Sequence, residues 1–164
     1  MLEDLLSRRL LFVSGKGGIG KTVVACTLAR QAVAMGKKVC IVEHSANDQV
    51  APILGHKPVG HQEVEIEPRL FCINLKFDDC IREYITRYLK MGQLFEKVFH
   101  HPTIKSFVKM MPGLHGLMLL GRVYFIVEVL RRYDLVVWDS YSSGHFLALL
   151  ETRGATLAAR LGGR

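Results

Sequence analysis

Apolar residues fall in short blocks along this chain, and two different periods organise them. Leu10-Leu-Phe-Val13 is a continuous apolar run closed by Ser14-Gly15, the pattern of a parallel strand buried on both faces. From Lys21 the period lengthens. Val24, Leu28, Gln31-Ala32 and Met35 recur at helical spacing, and Gly36 is placed to end the helix. A second buried strand spans Lys38-Val-Cys-Ile-Val42, with polar residues from Glu43 to Gln49 at its carboxyl end. The stretch Pro52–Pro68, rich in Gly, Pro and His, reads as connection, and Leu70-Phe-Cys-Ile-Asn-Leu75 as a third strand. Helical stripes follow in Ile81, Tyr84, Ile85, Tyr88 and Leu89, then in Leu94, Phe95, Val98 and Phe99. Pro102 opens another helical segment to Met111, Pro112-Gly113 breaks it, and a very apolar helix runs on to Arg132. Tyr133-Asp-Leu-Val-Val-Trp138 is a fourth strand, delivering Asp139 at its end. Strands alternating with helices predict an α/β fold with a parallel, doubly wound sheet of four strands.

Composition narrows the class without naming a function. The chain has 164 residues, 49% hydrophobic and 23% charged, as in an ordinary globular domain with a sizeable core. No apolar run reaches the roughly 18 residues of a membrane span; Gly116–Leu130 is interrupted by Arg122 and Glu128. The acidic start, Met-Leu-Glu-Asp-Leu-Leu, does not read as a secretory signal. Cys26, Cys40, Cys72 and Cys80 form no Cys-x-x-Cys pair, which predicts a reduced, cytoplasmic chain without a zinc framework. The net charge of +7 is spread over doublets such as Arg8-Arg9, Lys37-Lys38 and Arg131-Arg132. That distribution predicts a generally basic, solvated surface more than a nucleic-acid stripe. His100-His101 reads as surface, since adjacent helical residues do not face one ligand.

The chemistry is concentrated after the first strand. Gly15-x-x-x-x-Gly20-Lys21-Thr22 matches the phosphate-loop pattern and lies between a strand and a helix, as that motif requires. Its glycines let backbone N–H groups approach phosphate oxygens, and the helix amino terminus adds positive charge. Gly15, Lys16, Gly17, Gly18, Ile19, Gly20, Lys21, Thr22 and Val23 are therefore the candidate nucleotide-binding residues. Lys21 would neutralise the β- and γ-phosphates, and the Thr22 hydroxyl would ligate Mg²⁺. Asp139, at the carboxyl end of an apolar strand, stands where ligands of such sheets gather and would hold Mg²⁺ through water. Lys16 is a second lysine in the loop, placed to reach a phosphate bound by a facing subunit.

Lys16-Gly-Gly-Ile-Gly-Lys-Thr22 resembles the loop of the signature-lysine ATPases, the dimerising group that includes MinD, ParA, nitrogenase iron protein and ArsA. The resemblance implies that Lys16 acts in trans across a nucleotide-sandwich homodimer, with Lys16, Lys21 and Asp139 as catalytic residues. Asp139-Ser-Tyr-Ser-Ser-Gly144-His145 is similar to the ArsA-type switch Asp-x-Ala-Pro-Thr-Gly-His, matching at Asp139, Gly144 and His145, with Ser143 in place of Thr. Tyr141-Ser142 replaces the Ala-Pro pair. Pro112-Gly113-Leu114 and the apolar run to Leu130 look like part of the family's helical insertion, over about residues 80–131. The resemblance further implies Mg-ATP as ligand and allows a hydrophobic protein cargo, for which Met91, Met110, Met111 and Met118 could line a groove.

Two departures matter. The family's second strand is followed by Ser/Thr-x-Asp-Pro, whose aspartate positions the attacking water, whereas this chain has Ser45-Ala46 there, with Glu43 and Asp48 nearby but out of register. ATP binding is thus better supported than rapid hydrolysis. The cysteines also do not match the family's metalloid-binding arrangement. The resemblance covers about residues 9–150, so residues 1–150 are expected to form a P-loop ATPase domain incomplete at its carboxyl end, and residues 151–164 a tail. Two alternatives stay open: a ParA- or MinD-like positioning ATPase binding DNA or a membrane surface, and a truncated, non-catalytic nucleotide-binding remnant.

Overall fold

The computed structural model describes residues 2–89, 110 and 113–140, with backbone only at 88 and 89. A short helix α1 (Leu2–Leu6) leads to strand β1 (Leu10–Val13), helix α2 (Lys21–Ala34), strand β2 (Val39–Glu43) and a single turn α3 (Val50–Ile53). Strands β3 (Val64–Glu67) and β4 (Leu70–Asn74) form a hairpin. Helix α4 (Phe77–Tyr84) widens into a π-helical turn at Ile85–Leu89, and helix α5 (Leu114–Tyr124) does the same at Phe125–Leu130 before strand β5 (Leu135–Asp139).

The five strands lie in the order β1-β5-β2-β4-β3. β1, β5, β2 and β4 are mutually parallel, which is the doubly wound arrangement expected. The fifth, β3, lies within the stretch whose composition reads as connection, yet it pairs antiparallel on the outer side of β4. Its own signal is a four-residue alternation, Val64 and Ile66 against Glu65 and Glu67. Ile66 packs onto the core while the flanking Gly, Pro and His hide the pattern.

Alternation along the parallel strands divides the core into two layers. Val39 and Ile41 of β2, Leu70 and Cys72 of β4, and Leu135 and Val137 of β5 join Ala25, Cys26, Ala29 and Ala32 of α2. Cys40 and Val42, Ile73, and Val136 and Trp138 meet Leu119 and Val123 of α5, and Ile126 and Val127 of its π-helical turn, on the other face. Both faces are covered, so the strands read as unbroken apolar runs. Small residues on α2 let that helix lie close to the sheet. Gly36, at φ 85, ends α2: its N–H reaches Val33 O at 2.8 Å and the Lys37 N–H reaches Ala32 O at 3.1 Å. That is the left-handed cap expected of the position.

Candidate functional site

The strand register assembles one end of the sheet. Val13 lies opposite Asp139 across β1 and β5, and the Ser140 N–H bonds Val13 O at 3.0 Å. On the other side of β5, Val42 pairs with Trp138, so Glu43 and Asp139 are the next residues along neighbouring strands. Two-residue alternation turns both toward the α2 layer. Asn74 ends β4 opposite Glu43.

The loop between β1 and α2 sits over this end. Gly18 and Gly20 have φ of 79° and 86°, a region that costs an L-residue with a Cβ about 1–2 kcal/mol. Nothing lies within 4 Å of where a Cβ would stand at Gly17, Gly18 or Gly20, so the loop backbone is open to an incoming group. No side chain caps α2 at Gly20, leaving its first N–H groups available to an anion. Ile19 and Val23 are exposed, as is Lys16. Lys21 folds back, its Nζ donating to Lys16 O at 3.3 Å.

Thr22 at the start of α2 donates from Oγ1 to Asp139 Oδ2 at 2.6 Å. Burial raises the Asp139 carboxyl above its ordinary range, opposed by the Thr22 hydrogen bond and the Lys21 charge. Hydroxyl and carboxylate are thus in contact beside an amide-rich loop and a lysine. This donor set fits a phosphate chain with a divalent cation: N–H groups and Lys21 for the anion, oxygen ligands from Thr22 and Asp139 for a hard metal. Asp139 thus meets the Gly15–Val23 loop at Thr22.

The loop after β2 behaves differently. Glu43 is buried at 1% exposure, and its carboxylate accepts from Ser45 Oγ at 2.6 Å, the Gln49 N–H at 3.0 Å and the Val50 N–H at 3.3 Å. Burial pushes its pKa up, against those bonds. Asp48 accepts from the Gly60 N–H at 2.7 Å, from the Val59 N–H, and from Asn74 Nδ2 at 2.6 Å. Burial works to raise the Asp48 carboxyl, but the bonds from Gly60, Asn74 and Val59 and the Lys76 charge hold it below the usual carboxylate range. Both carboxylates that flank Ser45-Ala46 are therefore engaged in holding the loop.

Lys76, Asn74 and His61 also belong to this end of the molecule, and sequence reasoning did not single them out. Lys76 Nζ donates to Ser45 O at 2.6 Å and Ala46 O at 3.0 Å. For Asn74 and Lys76 the available signal was position alone, at and just past the carboxyl end of a parallel strand; His61, in the connection before β3, carried none.

The four cysteines are free and buried. Burial pushes the Cys26 thiol up to about 11 and the Cys80 thiol to about 12, so both stay protonated and are poor soft-metal ligands. Among the described residues no three His, Cys, Asp or Glu side chains cluster to hold a metal, and no helix is long and apolar enough to cross a membrane. Met118 packs on the core while Met110 is 79% exposed. Met91, Met111, Pro112, His100, His101, the Tyr141–His145 switch segment with its Gly144, and residues 151–164 lie outside the described residues.

The model of the anion-transporting ATPase family matches residues 8–159. ATPase BagA of Mycobacterium tuberculosis is 26% identical, over 94% of this chain and 48% of its own length. The arsenical pump-driving ATPase of Escherichia coli is also 26% identical, over 94% of this chain and 27% of its own. ATPase GET3 of Malassezia globosa is 24% identical over 90% of this chain and 43% of its own. The chain spans about half the length, or less, of these curated relatives. With an open phosphate loop after β1, a Thr22–Asp139 pair beneath it and the family match across most of its length, this chain belongs to the anion-transporting ATPase family.

Proposed function

We propose that this chain is an Mg-ATP-binding switch ATPase of the ArsA-like group, with residues 1–150 as the ATPase domain and a helical insertion at about 80–131. The observation that carries the reading is the 2.6 Å contact between Thr22 Oγ1 and Asp139 Oδ2 at the mouth of the loop. Gly15 to Val23 wrap the phosphates, Lys21 leaves Lys16 O to meet them, and Thr22 and Asp139 hold Mg²⁺, Asp139 through water. When bound, the metal neutralises charge that develops on the phosphate oxygens. Exposed Lys16 reaches the nucleotide of a second copy, making the ATP-bound state a homodimer. The four free thiols are in keeping with a cytoplasmic setting. A hydrophobic protein cargo belongs to the same reading, as the downstream use of the switch.

Light scattering with and without Mg²⁺ and a non-hydrolysable ATP analogue tests this. Wild type should shift from monomer to dimer with nucleotide, and Lys16→Ala should bind nucleotide yet stay monomeric. Wild type remaining monomeric at saturating analogue would sink the trans role of Lys16. A second reading, nucleotide binding without appreciable turnover, is favoured by the engagement of both Glu43 and Asp48. Retained ATP binding with no phosphate release would select it.

A further inference from the structure

The segment after β2 has lost the Asp-Pro pair that the ArsA-like pattern carries, and Ser45-Ala46 stands there instead. Replacing proline gives the unfolded chain more backbone freedom to lose on folding. Other contacts must therefore order the loop. Glu43 holds its two ends together through Ser45 Oγ and the Gln49 and Val50 N–H groups. Asn74 Nδ2 donates to Ser45 O at 3.0 Å. The central peptides are held by one cation: Lys76 Nζ, at 2.6 Å from Ser45 O and 3.0 Å from Ala46 O. Charge-assisted bonds of this kind are about twice as strong as neutral ones.

Lys76 is itself fixed from behind. Its backbone N–H donates to His61 Nδ1 at 3.2 Å. His61 Nδ1 must then be the acceptor, which leaves the ring hydrogen on Nε2, 3.2 Å from Glu83 Oε1. Glu83 Oε2 is in turn 3.0 Å from Arg122 Nε of α5. The lysine thus stands on a braced strand end and reaches into a loop whose β2 anchor is the neighbour of Asp139.

We propose that Lys76 is a positioning residue of the nucleotide site: it clamps the Ser45 and Ala46 carbonyls, and the chemical step depends on that clamp while nucleotide binding at the Gly15–Val23 loop does not. This rests on the ATPase reading above. Lys76→Met, which keeps the length and removes the charge, tests it in the full chain by hydrogen exchange, analogue binding and steady-state turnover. Exchange across residues 44–49 should speed about tenfold or more, the loss expected for a charged hydrogen bond. Affinity for a fluorescent ATP analogue should hold within about twofold while kcat falls roughly tenfold at little-changed KM, the split expected when a contact matters only in the transition state. Lys76→Arg should restore most of both. Unchanged loop exchange in a folded Lys76→Met overturns the proposal, and so does lost affinity at unchanged kcat or failure of arginine to rescue. If Lys76→Met does not fold, Lys76→Gln takes its place: faster exchange at residues 44–49 and lower kcat than wild type support the clamp, and wild-type values of both overturn it. Wild type without Mg-ATP turnover would defeat the ATPase reading instead, and loop exchange would then decide the role of Lys76 on its own.

Discussion

Lys21, Thr22 and Asp139 show how far single residues can be read. Thr22 is tied to Lys21 by adjacency and to the loop by the motif's spacing, and Asp139 by its place at a strand end, so all three are local facts of the sequence. The meeting of Thr22 and Asp139 at 2.6 Å follows from β1 and β5 being paired. Asp139→Asn keeps the shape of that contact and removes the charge. The Mg²⁺-dependent part of ATP-analogue affinity should fall about tenfold or more, as for loss of a carboxylate serving a metal site, in titrations with Mg²⁺ and with EDTA. Without nucleotide the variant should melt no lower than wild type, because burial already penalises the charge it loses. A lower melting temperature would mean that the carboxylate is a net stabiliser of the empty site. Glu43 and Asp48 were legible only as candidates. Their roles depend on partners at Gln49, Val50, Gly60 and Asn74, which the fold brings in.

Elements were legible where their period was long or their punctuation clean. α2 begins and ends where its apolar spacing and Gly36 place it. The β3–β4 hairpin was not, because its strand is four residues long and its turn carries no glycine. Pro68 and Arg69 form the two-residue connection, with Arg69 at φ 68. Pro followed by a positive φ is the order of a type II turn, where Gly or Asn is the usual second residue. The Arg69 N–H bonds Glu65 Oε1 at 2.9 Å, a contact that any residue there would retain, and the side chain is exposed. Arg69→Gly should accordingly stabilise the chain by about 1 kcal/mol, relief of left-handed strain being partly offset by glycine's unfolded entropy. Urea unfolding measures it; a loss of stability would show that the arginine side chain does more than its exposure indicates.

At the scale of the whole molecule, titration reports how tightly the sheet end is packed. His44 lies edge-on to Trp138, with ring centroids 6.3 Å apart. Burial, and then the nearby His115, push its pKa down to about 4 from 6.5. Between those values the unfolded chain takes up a proton that the folded chain refuses, so stability from this group is lost as pH falls through that window. The loss should total about 2–3 kcal/mol. Glu43 and Asp139 are raised by burial and slope the other way, gaining stability on acidification just above the ordinary carboxylate range. The clean measurement is a difference: urea unfolding of wild type and His44→Gln at pH 7 and pH 4.5. The variant should lose less stability on acidification than wild type; equal losses would mean that His44 is protonated in the folded state.

The fold class, four of the five strands, the phosphate loop and the carboxylate that meets it are all legible in the order of residues alone. Each of those rests on local spacing: apolar runs for strands buried on two faces, glycines where the backbone needs positive φ, Asp139 at a strand end. The order β1-β5-β2-β4-β3, the antiparallel edge strand and the use made of the loop after β2 emerge once the chain is folded. Those depend on pairing between segments distant in the chain. A carboxylate such as Glu43 looks the same in a sequence whether it awaits a substrate or caps a turn, and what separates the two is which N–H groups the fold places against it.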